Sequence, residues 1–113
     1  MRMNHLNLGV TDVEAAKAFL VKYFGFRDSG AGNKNSAFLY DDSGLLLSMF
    51  KGKDIVYPAT FHIGFIQGSE AEVDAINARM RADGIEVAMP SRQHSSWTFY
   101  VTAPGGFLVE VLS

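Results

Sequence analysis

The sequence has no cysteine, three prolines, one tryptophan and three histidines among 113 residues. Without cysteine it is no disulfide scaffold, carries no thiol nucleophile and offers no thiolate metal site, so any metal must be held by nitrogen and oxygen. No apolar run approaches the roughly 18 residues that a membrane span needs. The first ten residues hold one positive charge and no long apolar stretch, unlike a signal peptide. Neither sign of charge dominates. Ten basic residues stand against twelve acidic ones, with no basic run, which argues against binding to nucleic acid through phosphate contacts. These absences predict a cytoplasmic chain that partners neither nucleic acid nor membrane. What is present is a 48% hydrophobic content. At this length that suffices for a single domain spanning 1–113 with one real core.

The chain repeats itself. His5-Leu-Asn-Leu-Gly-Val10 alternates as a strand, with Leu6, Leu8 and Val10 on one face and His5 and Asn7 on the other. Thr60–Ile66 alternates in the same way, placing Phe61, Ile63 and Phe65 opposite His62 and Gly64. Each strand runs into a capping-box pattern, Thr11-Asp-Val-Glu14 and Ser69-Glu-Ala-Glu72. A helical stripe follows each, Val13/Ala16/Phe19/Leu20/Tyr23/Phe24 ending at Gly25, and Val73/Ile76/Asn77/Met80 ending at Gly84. Three strand candidates follow each helix. They lie near 26–28, 36–40 and 45–50 in the first half and near 85–89, 97–102 and 107–112 in the second. Turns are expected at 30–35, 41–44, 90–95 and 103–106. The fold class is therefore α+β, two tandem βαβββ modules of about 1–50 and 60–113, joined by a linker of about 51–59.

Aligning the halves matches His5 with His62 and Ser48 with Glu110. The apolar face of each first strand must cover its helix, so both histidines point away from it. Two imidazoles and a carboxylate, His5, His62 and Glu110, make a set suited to Fe, Mn, Co, Ni or Zn as divalent ions, with positions left open for substrate oxygens. The same residues also admit a plainer reading, hydrogen-bonded strand histidines and a glutamate at a solvated sheet edge. Tyr100, two residues beyond Thr98 on one strand face, is a candidate hydrogen-bond donor or general acid. Phe38 is its counterpart in the first half. Asn7, Phe38, Phe50, Trp97 and Thr98 are the candidate substrate-binding residues, with Tyr40 as a further aromatic wall. Arg92 and His94 fall in a loop suited to meeting an anion or simply to facing water.

Three segments carry a family resemblance across essentially the whole chain. They are Asn4-His-Leu-Asn-Leu-Gly-Val-Thr-Asp12 with Ala16, Phe19 and Gly25-Phe26; Phe61-His-Ile-Gly-Phe65; and Phe99-Tyr-Val-Thr-Ala-Pro-Gly-Gly-Phe-Leu-Val-Glu110. Together they resemble the vicinal oxygen chelate superfamily, which includes glyoxalase I, fosfomycin-resistance proteins, extradiol dioxygenases and bleomycin-resistance proteins. The resemblance implies βαβββ modules whose curved mixed sheet surrounds a central metal or ligand site. It implies a homodimer in which His5 meets His62 and Glu110 of a second copy. It implies a small-molecule substrate and a divalent-metal enzyme of lyase, transferase or dioxygenase type, stabilising an oxyanion. Ser48 stands where glyoxalase I has a glutamate, which argues against simple glyoxalase I activity because serine is a poor ligand and a weak base. In the approach Met89-Pro-Ser-Arg-Gln-His-Ser95 and after Glu110, the lysine and late arginine that would hold a phosphonate are not recognisable, which argues against fosfomycin. The alternative function is a metal-free protein that binds a small molecule or antibiotic, as bleomycin-resistance relatives do.

Overall fold

The computed structural model describes all 113 residues. The elements run β1 (His5–Val10), α1 (Val13–Phe24), β2 (Arg27–Asp28), β3 (Ser36–Tyr40), β4 (Leu46–Lys51), β5 (Ile63–Ile66), α2 (Glu70–Ala82), β6 (Ser91–Gln93), β7 (Ser96–Ala103) and β8 (Phe107–Leu112). They form two four-stranded mixed sheets, ordered β1-β4-β3-β2 and β5-β8-β7-β6. In each sheet the first strand of the half lies parallel to the last, a pairing that the intervening helix makes possible. The βαβββ order, its repetition and the α+β class match the expectation from sequence.

Two compact units result. One comprises Met1–Pro58 with Ala103–Phe107, the other Ala59–Thr102 with Leu108–Ser113. The division departs from the sequence halves in one place: the tip of the β7–β8 hairpin belongs to the first unit. There the Thr11 amide donates to the Gly105 carbonyl at 3.0 Å.

In the first unit, period-two patterning decides which face is covered. Leu8, Val10, Ala37, Leu39, Leu47 and Met49 are buried, as are Val13, Ala16, Phe19, Leu20 and Tyr23 of α1. Each large apolar side chain so buried contributes about 1.5–3 kcal/mol. On the opposite face, His5 and Asn7 are exposed and Ser48 is buried.

The start of α1 corrects the sequence reading. Its N-cap is Asp12, whose carboxylate accepts from the Ala15 amide at 3.0 Å; Thr11 and Glu14 form no capping box. Thr11 is held in the extended chain by its bond to Gly105, so the next acceptor side chain caps the helix. Glu14 pairs with Lys17 instead. Asp12→Ala is expected to cost about 1 kcal/mol in denaturant unfolding. Thr11→Ala should stay within about 0.5 kcal/mol. The C-terminus is as expected: Gly25 takes φ 68°, where any other residue would be strained.

Asp41 closes the β3–β4 turn. Its Oδ1 accepts from the Ser43 amide at 2.8 Å, the Leu45 amide at 2.9 Å and the Ser43 hydroxyl at 2.8 Å. Burial pushes its pKa up, but these hydrogen bonds outweigh burial and hold it below the usual carboxylate value. A lowered native pKa gives stability that is present above the unfolded value of about 3.9 and lost as pH falls through the native one. Asp41→Ala should therefore cost about 1–2 kcal/mol at pH 7. In thermal unfolding followed against pH, its gap from the wild type should close below about pH 4.

In the second unit, α2 has Ser69 as N-cap, accepting from the Glu72 amide. Glu72 reaches back one residue further than a capping box requires, to the Gly68 amide at 2.7 Å. Gly84 follows the helix as expected, its amide on the Arg81 carbonyl and the Ile85 amide on that of Met80. Two other expectations are corrected. Residues 85–89 form no strand, because the carbonyl of Ala88 is taken by the side chain of buried Asn77 at 2.8 Å and Pro90 has no N–H to extend a ladder. The segment expected as a turn supplies β6 instead, which pairs with β7 through Gln93 and Ser96. His94 and Ser95, at φ 49° and 65°, make the two-residue turn between them. No helix is long and apolar enough to cross a membrane.

Candidate functional site

The parallel β5–β8 pairing sets Gly64 opposite Glu110, and His62 directly precedes β5 rather than lying within it. On β8, Phe107, Val109 and Val111 are buried, which leaves Glu110 on the half-buried face with Leu108 and Leu112. His62 and Glu110 meet there, Nε2 to Oε1 at 3.4 Å, with the imidazole 38% and the carboxylate 13% exposed.

Each side chain is held from behind. His62 Nδ1 lies 3.0 Å from the Thr60 carbonyl. A carbonyl only accepts, so Nδ1 carries the proton, and Nε2 is the atom left facing Glu110, with a lone pair whenever the ring is singly protonated. The Thr98 hydroxyl is fully buried, 2.8 Å from Glu110 Oε2 and 3.0 Å from the Val111 carbonyl. Its single proton goes to the charged and nearer acceptor. That leaves Oε1 facing Nε2. Thr98 is thus a support for the carboxylate and has no exposed surface to offer a ligand. Tyr100 meets the His62 ring edge-on at 5.5 Å. Burial, then the charge of Glu110 and a hydrogen bond with it, push the phenol pKa up, so the hydroxyl stays a proton carrier at neutral pH.

The first unit repeats part of this arrangement. His5 Nδ1 lies 3.1 Å from Asn4 Oδ1, an orientation that again frees Nε2. Asn7 faces Ser48 across β1–β4, where Glu110 has its place in the second unit, and the Ser48 hydroxyl donates to Asn7 Oδ1 at 2.7 Å. Phe38 stands opposite Ser48 on β3 and meets Phe50 edge-on at 5.8 Å. Phe50 is 47% exposed. Within either unit, no three histidine, aspartate or glutamate side chains gather in a metal-binding group.

Trp97 is engaged differently. Its indole N–H donates to Asp74 at 2.8 Å, and Arg92 lies over the ring at 5.4 Å while pairing with Glu70 at 2.8 Å. Arg92 is thereby committed to its own unit. Sequence reasoning assigned no role to Asn4, Thr60 or Asp74. Asn4 stands beside His5 in the chain, but the Thr60 contact is a backbone carbonyl and left no signal.

Many solved structures resemble the chain, among them the following three. One described as a possible glyoxalase from Bacillus cereus is 50% identical, covers 100% of this chain and 99% of its own, and has a TM-score of 0.94. Lactoylglutathione lyase from Agrobacterium tumefaciens is 23% identical over 98% and 92%, with a TM-score of 0.78. A mutant of the fosfomycin resistance protein FosX from Listeria monocytogenes, complexed with Mn(II) and 1S,2S-dihydroxypropylphosphonic acid, is 21% identical over 99% and 91%, with a TM-score of 0.80. At such low identity the last two speak for the fold alone. No curated protein matches the chain. The family model described as the Glyoxalase/Bleomycin resistance protein/Dioxygenase superfamily matches residues 2–111, and the chain belongs to that superfamily.

Proposed function

We propose that the protein is a divalent-metal-dependent enzyme that binds vicinal oxygens of a small substrate and stabilises the oxyanion formed from it. One observation carries the reading. His62 Nε2 and Glu110 Oε1 lie 3.4 Å apart, and with the Nδ1 proton fixed on Thr60 both present lone pairs to the same place. Two lone pairs so placed repel unless a proton on Nε2 or a metal cation stands with them, and a nitrogen and an oxygen backed by second hydrogen bonds suit a divalent metal. His62 and Glu110 are two of the ligands. His5 is the third, with its Nε2 freed in the same way, and the family resemblance implies that a second copy of the chain supplies it.

The bound metal would supply Lewis acidity toward substrate oxygens. Thr98 holds one oxygen of Glu110 so that the other is directed outward. Tyr100, kept protonated, is the candidate donor to a developing negative oxygen. Asn7, Phe38 and Phe50 remain the substrate contacts of the proposal; Trp97 does not, since its indole is bonded to Asp74 of α2 and it lies on the face of β7 opposite Thr98. Ser48 adds no carboxylate, so the reading favours a lyase, transferase or dioxygenase reaction that needs no second acidic group, over simple glyoxalase I chemistry.

The exposed Phe50 and the Phe38 ring against it favour a second reading, a metal-free binding protein for a flat small molecule. Metal analysis of protein purified without an affinity tag separates the two. About one ion per chain, removable by chelator with a fall in melting temperature, is the expected result. Metal-free protein with chelator-insensitive ligand binding would establish the second reading instead.

A further inference from the structure

The exposed face of the first sheet has a polarity of its own. Ser48 is buried, and its hydroxyl has a single acceptor, Asn7 Oδ1 at 2.7 Å. A buried hydroxyl that donates to nothing is costly, so the proton goes to Oδ1. This fixes the carboxamide. An exposed asparagine ordinarily turns over and offers a donor or an acceptor, whereas here Oδ1 is occupied and the two N–H bonds of Nδ2 are what remains. The second unit has nothing equivalent. Gly64 stands at the matching position, facing Glu110, which only accepts when ionised.

The surroundings of Asn7 are apolar on one side. Phe38 lies beyond Ser48 with its ring against exposed Phe50. At the other end Ile55 and Tyr57 fold over Gly9, the Tyr57 hydroxyl donating to the Gly9 carbonyl at 2.8 Å. We infer that Ser48 locks Asn7 as a one-way hydrogen-bond donor, and that this face selects ligands that join a flat apolar body to an acceptor-only oxygen, a carboxylate, ketone or phenolate. The inference deepens the proposed function by naming the substrate's chemistry. It rests on that reading for the use of this face by substrate but not for the metal.

The test uses chelator-treated, 15N-labelled full-length chain and two probes of one shape and opposite polarity, benzoate and benzamidinium. The side-chain amide pair of Asn7 is identified by its loss in Asn7→Asp. Benzoate should shift that pair saturably and bind at least ~10-fold more tightly than benzamidinium, since a site built to donate rejects a ligand that only donates. Ser48→Ala, which frees the amide to turn, should bring the ratio close to one. Ser48→Thr, which keeps the hydroxyl, should restore it, and Asn7→Asp should reverse it. A ratio of affinities is insensitive to a general loss of stability. No preference in the wild type, or an unchanged preference in Ser48→Ala, overturns the inference. A preference for benzoate in protein that never takes up metal upholds it while removing the metal from the proposed function.

Discussion

His62→Ala is expected to leave the fold intact and to lower divalent-metal affinity by at least ~100-fold. The imidazole precedes β5 and is more than a third exposed, so its removal opens no cavity in the core. Its partners survive without strain: the Thr60 carbonyl turns to water and Glu110 keeps Thr98. What disappears is one of two lone pairs directed at a common point. Loss of a residue that merely supports a ligand weakens metal binding by about 10–100-fold, and loss of a ligand should exceed that. Calorimetric titration of chelator-treated protein with Mn(II) or Zn(II), beside melting curves of the apo forms, measures both halves of the expectation. Equal metal content in the variant and the wild type would remove His62 from the ligand set.

Gly105→Val should be strongly destabilising for a substitution in a loop, at about 2–6 kcal/mol. Two independent costs add. Gly105 sits at φ 97°, outside the region open to a side chain, which costs about 1–3 kcal/mol. A Cβ there would also lie 3.0 Å from Val10 Cβ and 3.3 Å from Ala16 Cβ, two atoms anchored in a strand and a helix. Forcing them apart costs about 1–3 kcal/mol more. The melting temperature should fall by about 10–20 °C. Gly30→Ala is the matched control, with φ 79° and open space around it. It should show the backbone cost alone, about 1–2 kcal/mol. Similar losses in the two variants would mean that the hairpin tip is not packed as described.

Where the sequence was legible, period and punctuation agreed. The alternation of β1, the stripe of α1 and the glycines at 25 and 84 each predicted one outcome, and the repeat supplied each of them twice. The face of Glu110 also followed from the alternation along β8. The failures came where long-range bonds overrode local ones. Thr11 fits a cap until Gly105, 94 positions later, takes its amide, and 85–89 reads as a strand until Asn77 takes the Ala88 carbonyl. The β6–β7 turn was hidden for another reason: His94-Ser95 adopts left-handed angles usually signalled by asparagine or glycine. In the candidate site, His62 and Glu110 were legible as matched positions. The hydrogen bonds that orient them, through Thr60, Thr98 and Ser48, depend on register and could not be read from spacing.

The bond between Thr11 and Gly105 also sets an order of events during synthesis. Residues 1–58 carry the whole first sheet and its helix, yet the surface around Val10 and Ala16 stays uncovered until residue 105 has been made. At about 5–20 residues per second, the ribosome takes a few seconds to cover that interval. A first unit that folds within those seconds carries an apolar notch, with an unpaired Thr11 amide at its rim. Chaperones that hold apolar segments, and aggregation between neighbouring nascent chains, compete for that notch in the same interval.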